Sequence, residues 1–150
     1  MTEQEIHRKF AIESFNSTWD LLDKTDRSQE EDLKMIQLTH VSRFHWGEIG
    51  EPMNFARGDW QISRVYAVLG FGEVAFKYAE SSMKHCKKNN IGDFDLAFAC
   101  EALARASAVS GDTQKVEKYF QLAKNAGDEI EKEEDRAYFL KELSTIPGFK

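Results

Sequence analysis

The segment Arg64–Ser82, RVYAVLGFGEVAFKYAESS, is matched 41 residues later by Arg105–Ala123, RASAVSGDTQKVEKYFQLA. The identical positions are Arg64 and Arg105, Ala67 and Ala108, Val68 and Val109, Gly70 and Gly111, Lys77 and Lys118, and Tyr78 and Tyr119. Each copy has the pattern of a helix, a glycine turn and a second helix. Because one helix pair cannot bury its apolar face alone, a repeated pair predicts that the pairs stack on one another.

Helical periodicity extends over most of the chain. Apolar residues recur three or four positions apart, strand-like alternation is absent, and the two prolines are Pro52 and Pro147. The pattern predicts an all-α protein with about seven helices stacked as antiparallel pairs. The predicted helices cover residues 3–24, 28–46, 52–69, 72–89, 93–110, 112–130 and 133–145. Asp93 or Asp95 is expected to cap the fifth helix.

The chain lacks a linker rich in glycine, serine or proline, which predicts a single helical domain over residues 1–150. Within it, residues 1–50 are expected to form N-terminal capping helices and residues 52–130 two repeat-like helix pairs. Residues 133–145 are expected to form a C-terminal capping helix. A closed four-helix bundle with extra helices is the alternative architecture.

The composition excludes several classes of function. The formal charge of −6 argues against nucleic acid as a partner, because binding to its backbone requires clustered lysine and arginine. The sequence contains no apolar run of the length that spans a membrane. The N-terminus, MTEQEIHRKF, lacks the apolar core of a signal peptide, so a cytoplasmic location is expected. Cys86 and Cys100 are expected to be reduced and partly buried.

The sequence contains no catalytic motif, so the chain is expected to be neither an enzyme nor a cofactor-binding protein. His40 and His45 lie five residues apart, which separates them by about 140° around a helix. They are interpreted as packing residues, and Trp46 as packing at the corner between the second and third helices. The alternative is a small metal- or ligand-dependent enzyme in which His40 and His45 act with carboxylates such as Glu48.

The repeated pairs resemble the tetratricopeptide repeat, in which a glycine ends the first helix and a small residue follows about five positions later. Gly70 followed by Ala75 fits this pattern, whereas Val116 occupies the corresponding position after Gly111. The spacing of 41 residues exceeds the usual repeat of about 34. The resemblance covers residues 52–130 and identifies the repeat as a divergent one.

This resemblance implies a concave surface, lined by the first helix of each pair, that binds a protein or peptide segment. The positions that it assigns to this groove are Arg57, Trp60, Arg64, Phe98, Glu101 and Arg105. Because arginine binds carboxylates in a planar fork, a non-enzymatic binding or scaffold module for an acidic segment is implied. Ordinary packing is the competing interpretation, since Glu101 and Arg105 have the spacing of an ion pair along one helix.

A second resemblance concerns Ala56–Gly70, which fits an ARGxWQISRVY…LG block of small uncharacterised bacterial proteins. It implies a bacterial source and no activity. A short helical array also exposes apolar ends, so association with a second copy of the chain is a further possibility.

Overall fold

The computed structural model describes residues 1–148, and this part of the chain forms seven helices and no strand. The helices are α1 (Glu3–Leu22), α2 (Gln29–Ile49), α3 (Pro52–Val68), α4 (Gly72–Lys88), α5 (Asp93–Ser110), α6 (Thr113–Asp128) and α7 (Glu133–Leu143). The prediction of an all-α fold is therefore confirmed. Phe149 and Lys150, the last residues of the predicted domain, lie outside the described residues.

The helices pack in chain order. Helix α1 packs on α2, α3 on α4 and α5 on α6, as antiparallel pairs. The pairs then stack, since α2 contacts α3, α4 contacts α5, and the first helices α3 and α5 contact each other. Helix α7 packs against both α5 and α6. The first helices of the pairs therefore share one side of the stack.

Local sequence signals fix most helix boundaries. Ser28 forms a complete capping box at the start of α2, and Pro52 occupies the first turn of α3, where its missing N–H costs nothing. Gly70 and Gly111 take positive φ angles of 89° and 78°, which are favourable for glycine at the turn after a helix. Helix α2 differs from the prediction, because it continues to Ile49 instead of ending at residue 46.

The start of α5 also differs from the prediction. Neither Asp93 nor Asp95 caps the helix; the N-cap position is occupied by Gly92, without a side-chain cap bond. The Oδ1 atom of Asp93 accepts a hydrogen bond of 2.9 Å from the backbone N–H of Glu131, ahead of α7. Asp95 instead binds Arg57 on α3. Both carboxylates therefore join separate parts of the chain.

Two glycines allow helices to approach closely. A Cβ atom at Gly72 would lie 2.8 Å from the backbone nitrogen of Ser110 and 3.0 Å from the carbonyl oxygen of Ala106, so α4 can meet α5 here only without a side chain. A Cβ atom at Gly127 would overlap the ring of Phe139, which is fully buried. The second contact seats α7 on α6.

Helix α5 is the centre of the core. All of its residues from 97 to 107 are buried, and many are alanine, which permits close packing of α3, α4 and α6 around it. Among residues 1–148, no helix has both the length and the apolar composition that crossing a bilayer requires.

Candidate ligand-binding pocket

A cavity of about 330 Å³ lies among α1, α3, α5 and α7, on the side of the stack that the first helices share. Aromatic rings form most of its lining: Phe15, Trp19, Trp60, Phe94, Phe98 and Tyr138. The other lining residues are Ala56, Arg57, Ser82 and Asp95. Its volume falls at the lower end of the range for small-molecule sites, which suits one ring or one large side chain.

The aromatic side chains that line the pocket form an aromatic wall, in which the rings pack against one another. The ring centroid of Trp60 lies 5.5 Å from that of Trp19 and 5.5 Å from that of Phe98, and the second pair meets edge to face. Phe94 packs on Phe98 with ring centroids 4.7 Å apart. The guanidinium carbon of Arg64 lies 5.4 Å from the Trp60 centroid. Such contacts favour a preformed wall, because each ring restricts its neighbours.

Trp60 also carries an unsatisfied donor. Its indole Nε1 is buried and has no hydrogen-bond partner among residues 1–148. Buried indole N–H groups usually find an acceptor, and leaving one unpaired costs about 1–3 kcal/mol. Although the Trp60 ring lines the cavity, its Nε1 atom has no accessible surface and does not face the open space.

Arg57 and Asp95 form a bidentate ion pair within the pocket lining. The Nε and Nη2 atoms of Arg57 donate to the two Asp95 carboxylate oxygens, at 2.9 and 3.1 Å. The Asp95 side chain is 10% exposed and that of Arg57 is 51% exposed. The pair links α3 to α5, and the charge of Arg57 is compensated within the protein.

A second ion-pair network lies behind the wall. Glu101 is fully buried; it accepts a hydrogen bond of 2.7 Å from Nε of Arg105 and one of 3.3 Å from Nη2 of Arg64. Arg105 also donates to the carbonyl oxygen of Glu142 and to Oγ1 of Thr145. Burial opposes the charge of Arg64, but the carboxylates of Glu101 and Glu142 outweigh it and raise the pKa of Arg64. The network joins α3, α5 and the end of α7.

The structure separates the six groove residues that the sequence placed together. The residues that line the pocket are Arg57, Trp60 and Phe98. Arg64 packs against the Trp60 ring, and its side chain is 11% exposed. Glu101 and Arg105, at 0% and 8% exposed, do not face an open groove. The physical reason is that the C-terminal end of α7 and the turn after it cover this face of α5.

The sequence did not predict the other seven lining residues as part of a groove: Phe15, Trp19, Ala56, Ser82, Phe94, Asp95 and Tyr138. For Trp19, the sequence contained a signal that it shares a face with Trp60. Trp19 lies 41 residues before Trp60, which is the spacing of the repeat. Tyr138 carried none, because residue 97, which is 41 positions earlier, is alanine.

His40 and His45 contact different partners. The Nε2 atom of His40 lies 2.8 Å from the hydroxyl of Tyr66, and Nδ1 of His45 lies 2.8 Å from Nδ1 of His7. Within the described part of the chain, no group of three or more His, Cys, Asp or Glu side chains could hold a metal ion. His40 and His45 therefore do not share one site.

Trp46 lines a second, smaller cavity of about 140 Å³. Its lining residues are Ile12, Phe15, Asn16, Trp46, Asn54, Arg57 and Gly58. Since Phe15 and Arg57 line both cavities, the two are neighbours along α1 and α3. Trp46 also has the guanidinium of Arg8 5.8 Å from its ring centroid.

Gly58 and Asp59, which precede Trp60 on α3, make contacts with the neighbouring helices. Asp59 is buried; it accepts from Nε of Arg43 at 2.9 Å and from the hydroxyl of Ser81 at 2.6 Å. Nε2 of His85 lies 3.5 Å from the same carboxylate. The aliphatic part of Arg43 packs on Gly58, where a Cβ atom would lie 2.7 Å from Cδ. These contacts tie α2, α3 and α4 together.

The two cysteines are free and buried, as the sequence predicts. Burial is the main cause that raises the pKa of both thiols, to about 11. Neutral, inaccessible thiols are poor nucleophiles, so neither residue is a candidate for covalent chemistry.

The histidine contacts predict that acid destabilises the fold. Burial lowers the pKa of His40, and burial together with the neighbouring His7 lowers that of His45. A histidine whose pKa is lowered on folding contributes stability above its unfolded pKa of about 6.5, and this contribution is lost as the pH falls through the folded-state pKa. We expect the urea concentration at the midpoint of unfolding to be lower at pH 5.5 than at pH 7.5. This difference should be smaller in His40→Asn and in His45→Asn. Equal falls in the wild type and both variants would contradict this assignment.

No protein-family model, curated protein or solved structure matches the chain.

Proposed function

We propose that this chain is a non-enzymatic binding module, built as a divergent tetratricopeptide-type array, that holds a segment of a protein or peptide partner. The observation that supports it is the aromatic cavity on the side shared by the first helices, whose rings brace one another. A preformed cavity lowers the ordering cost of binding, and aromatic side chains are common at the energetic centre of interfaces.

The partner segment is expected to insert an apolar side chain. An acidic segment was suggested by three arginines, but their charges are paired within the protein. Arg57 binds Asp95, while Arg64 and Arg105 bind Glu101. Aromatic burial, and not carboxylate capture, is therefore the proposed source of affinity. The two free cysteines fit the reducing cytoplasm, where we place the module.

A displayed library of random peptides tests the proposal. Peptides enriched on the wild type should bind Tyr138→Ala at least about fivefold more weakly, because an aromatic contact at the pocket is lost. Affinities are measured by isothermal titration calorimetry. Tyr138 is 45% exposed, so its removal should leave the fold intact.

Phe44→Ala is the matched control, since Phe44 is another exposed aromatic residue and does not line the pocket. It should bind the enriched peptides as the wild type does. The proposal fails if the library yields no enriched peptide, or if Tyr138→Ala binds as tightly as Phe44→Ala.

A further inference from the structure

We infer that a second copy of this chain docks on the outer face of α1 and α2, with the two α2 helices packed antiparallel about a two-fold axis. The outer face is the exposed surface of these two helices on the side turned away from α3. Its apolar side chains are Ile6, Phe10, Val41 and Phe44. This face is separate from the aromatic pocket, so docking there is independent of what the pocket binds.

The outer face exposes aromatic rings that are already held in place. Phe44 is 59% exposed and Phe10 is 42% exposed. Their ring centroids lie 5.3 and 5.6 Å from that of His45, which therefore stands between them. The terminal pair of a stacked array usually has a polar outer surface, so an apolar outer face indicates a partner.

The outward side chains of α2 have the spacing of a helix–helix seam. They recur at alternating intervals of four and three residues, the pattern by which two helices interlock along their length. All six are exposed: Glu30, Lys34, Gln37, Val41, Phe44 and Glu48. Thr39 and Arg43 lie on the other side of α2, where they bind residues of α3. This seam is therefore not used within the chain.

The charges along the seam select an antiparallel second copy. Lys34 and Glu48 each lie seven residues from Val41, one toward each end of the helix. When two α2 helices pack antiparallel with their Val41 residues opposite each other, Lys34 of each copy lies opposite Glu48 of the other. A parallel arrangement would place like charges together at both ends.

Both charges of this pair are available for a second copy. The ion pairs of α2 involve Glu31, Asp32 and Arg43, whereas Lys34 and Glu48 have no ion-pair partner among residues 1–148. A two-fold axis uses each of them twice, because the same surface contributes from both copies. The seam is therefore complementary to itself in charge.

The size of the outer face fits a dimer of modest affinity. Helices α1 and α2 have 20 and 21 residues, so each is about 30 Å long. At a diameter of about 10 Å each, they present roughly 600 Å² in projection. Since each partner contributes about 800 Å² to an interface of standard size, we expect a dissociation constant of about 1–100 μM.

Docking on the outer face leaves the pocket open. Phe10 and Trp19 lie nine residues apart on α1, which places them about 180° apart around the helix. Trp19 lines the pocket, so the pocket of each copy is turned away from the other copy.

Sedimentation equilibrium of the full chain, at protein concentrations that span this range, measures the association. The average mass should rise from that of one chain toward that of two. Phe44→Ala should weaken the association at least about tenfold, because the two-fold axis removes the ring twice. Phe71→Ala is the matched control; it removes a ring that is 54% exposed at the turn between α3 and α4, and it should associate as the wild type does. Circular dichroism checks that both variants are folded.

An exchange of charges tests the antiparallel arrangement. Lys34→Glu should weaken the association about fivefold or more, because it places two glutamates opposite each other at both ends of the seam. The double variant Lys34→Glu, Glu48→Lys restores opposite charges across the axis, and it should recover most of the wild-type affinity.

A mass of one chain at every concentration would overturn the inference. Association that Phe44→Ala leaves unchanged would do so as well, because the dimer would then use another surface. The antiparallel seam is also wrong if Lys34→Glu associates as the wild type does, or if the double variant remains as weak as Lys34→Glu.

Discussion

Replacing Glu101 with alanine is expected to lower the free energy of unfolding by about 3–5 kcal/mol, the usual effect of removing one member of a buried ion pair. Glu101 is fully buried and binds both Arg64 and Arg105. Its removal leaves two guanidinium groups on a buried face, with Glu142 as the remaining carboxylate near Arg64. Urea unfolding followed by far-ultraviolet circular dichroism measures the change.

Two further variants are controls for Glu101→Ala. Glu117→Ala alters an exposed glutamate on α6 and should change stability by no more than about 0.5 kcal/mol. The triple variant Arg64→Met, Glu101→Leu, Arg105→Met removes the charges together and should recover most of the loss. If Glu101→Ala lowers the free energy of unfolding no more than Glu117→Ala does, the network does not stabilise the fold.

Replacing Phe139 with alanine is expected to cost about 3–5 kcal/mol as well, because it empties a large buried site. The Phe139 ring is 0% exposed; it packs over Gly127 and lies edge to face with Phe98, at 4.9 Å between centroids. Its neighbours in the core include Ile130 and Leu143. Urea unfolding measures the total loss, and hydrogen exchange should show the largest loss of protection in α7.

The next residue provides a matched control. Leu140 lies on the same helix but is 37% exposed, so Leu140→Ala should cost much less than Phe139→Ala. Similar losses for the two variants would mean that α7 is not held through Phe139. Since Tyr138 lines the pocket from α7, a loosened α7 should also weaken ligand binding in Phe139→Ala.

The helices could be predicted because their signals are local. Periodic apolar residues, the Ser28 capping box, Pro52 and the glycines at 70 and 111 each act within a few residues. The repeat at 41 residues then indicated which helices are equivalent. Stacking of antiparallel pairs followed from that equivalence, because neighbouring pairs must share a core.

The site could be predicted only in part, because helical spacing shows which residues share a face and not what covers that face. Trp60 and Phe98 reach the pocket, but Glu101 and Arg105 lie beneath α7. The position of α7 depends on its contact with Gly127, which lies on another helix. The sequence suggested Asp95 as a helix cap, and only the tertiary structure places it against Arg57.

The origin of the pocket lining has a consequence for how such a protein could evolve. Phe15 and Trp19 come from α1 and Tyr138 from α7, and neither Phe15 nor Trp19 belongs to the ion-pair network around Glu101. Substitutions at Phe15 and Trp19 would reshape the pocket without removing a member of that network. The shape of the pocket can therefore vary in evolution while the Glu101 network is kept.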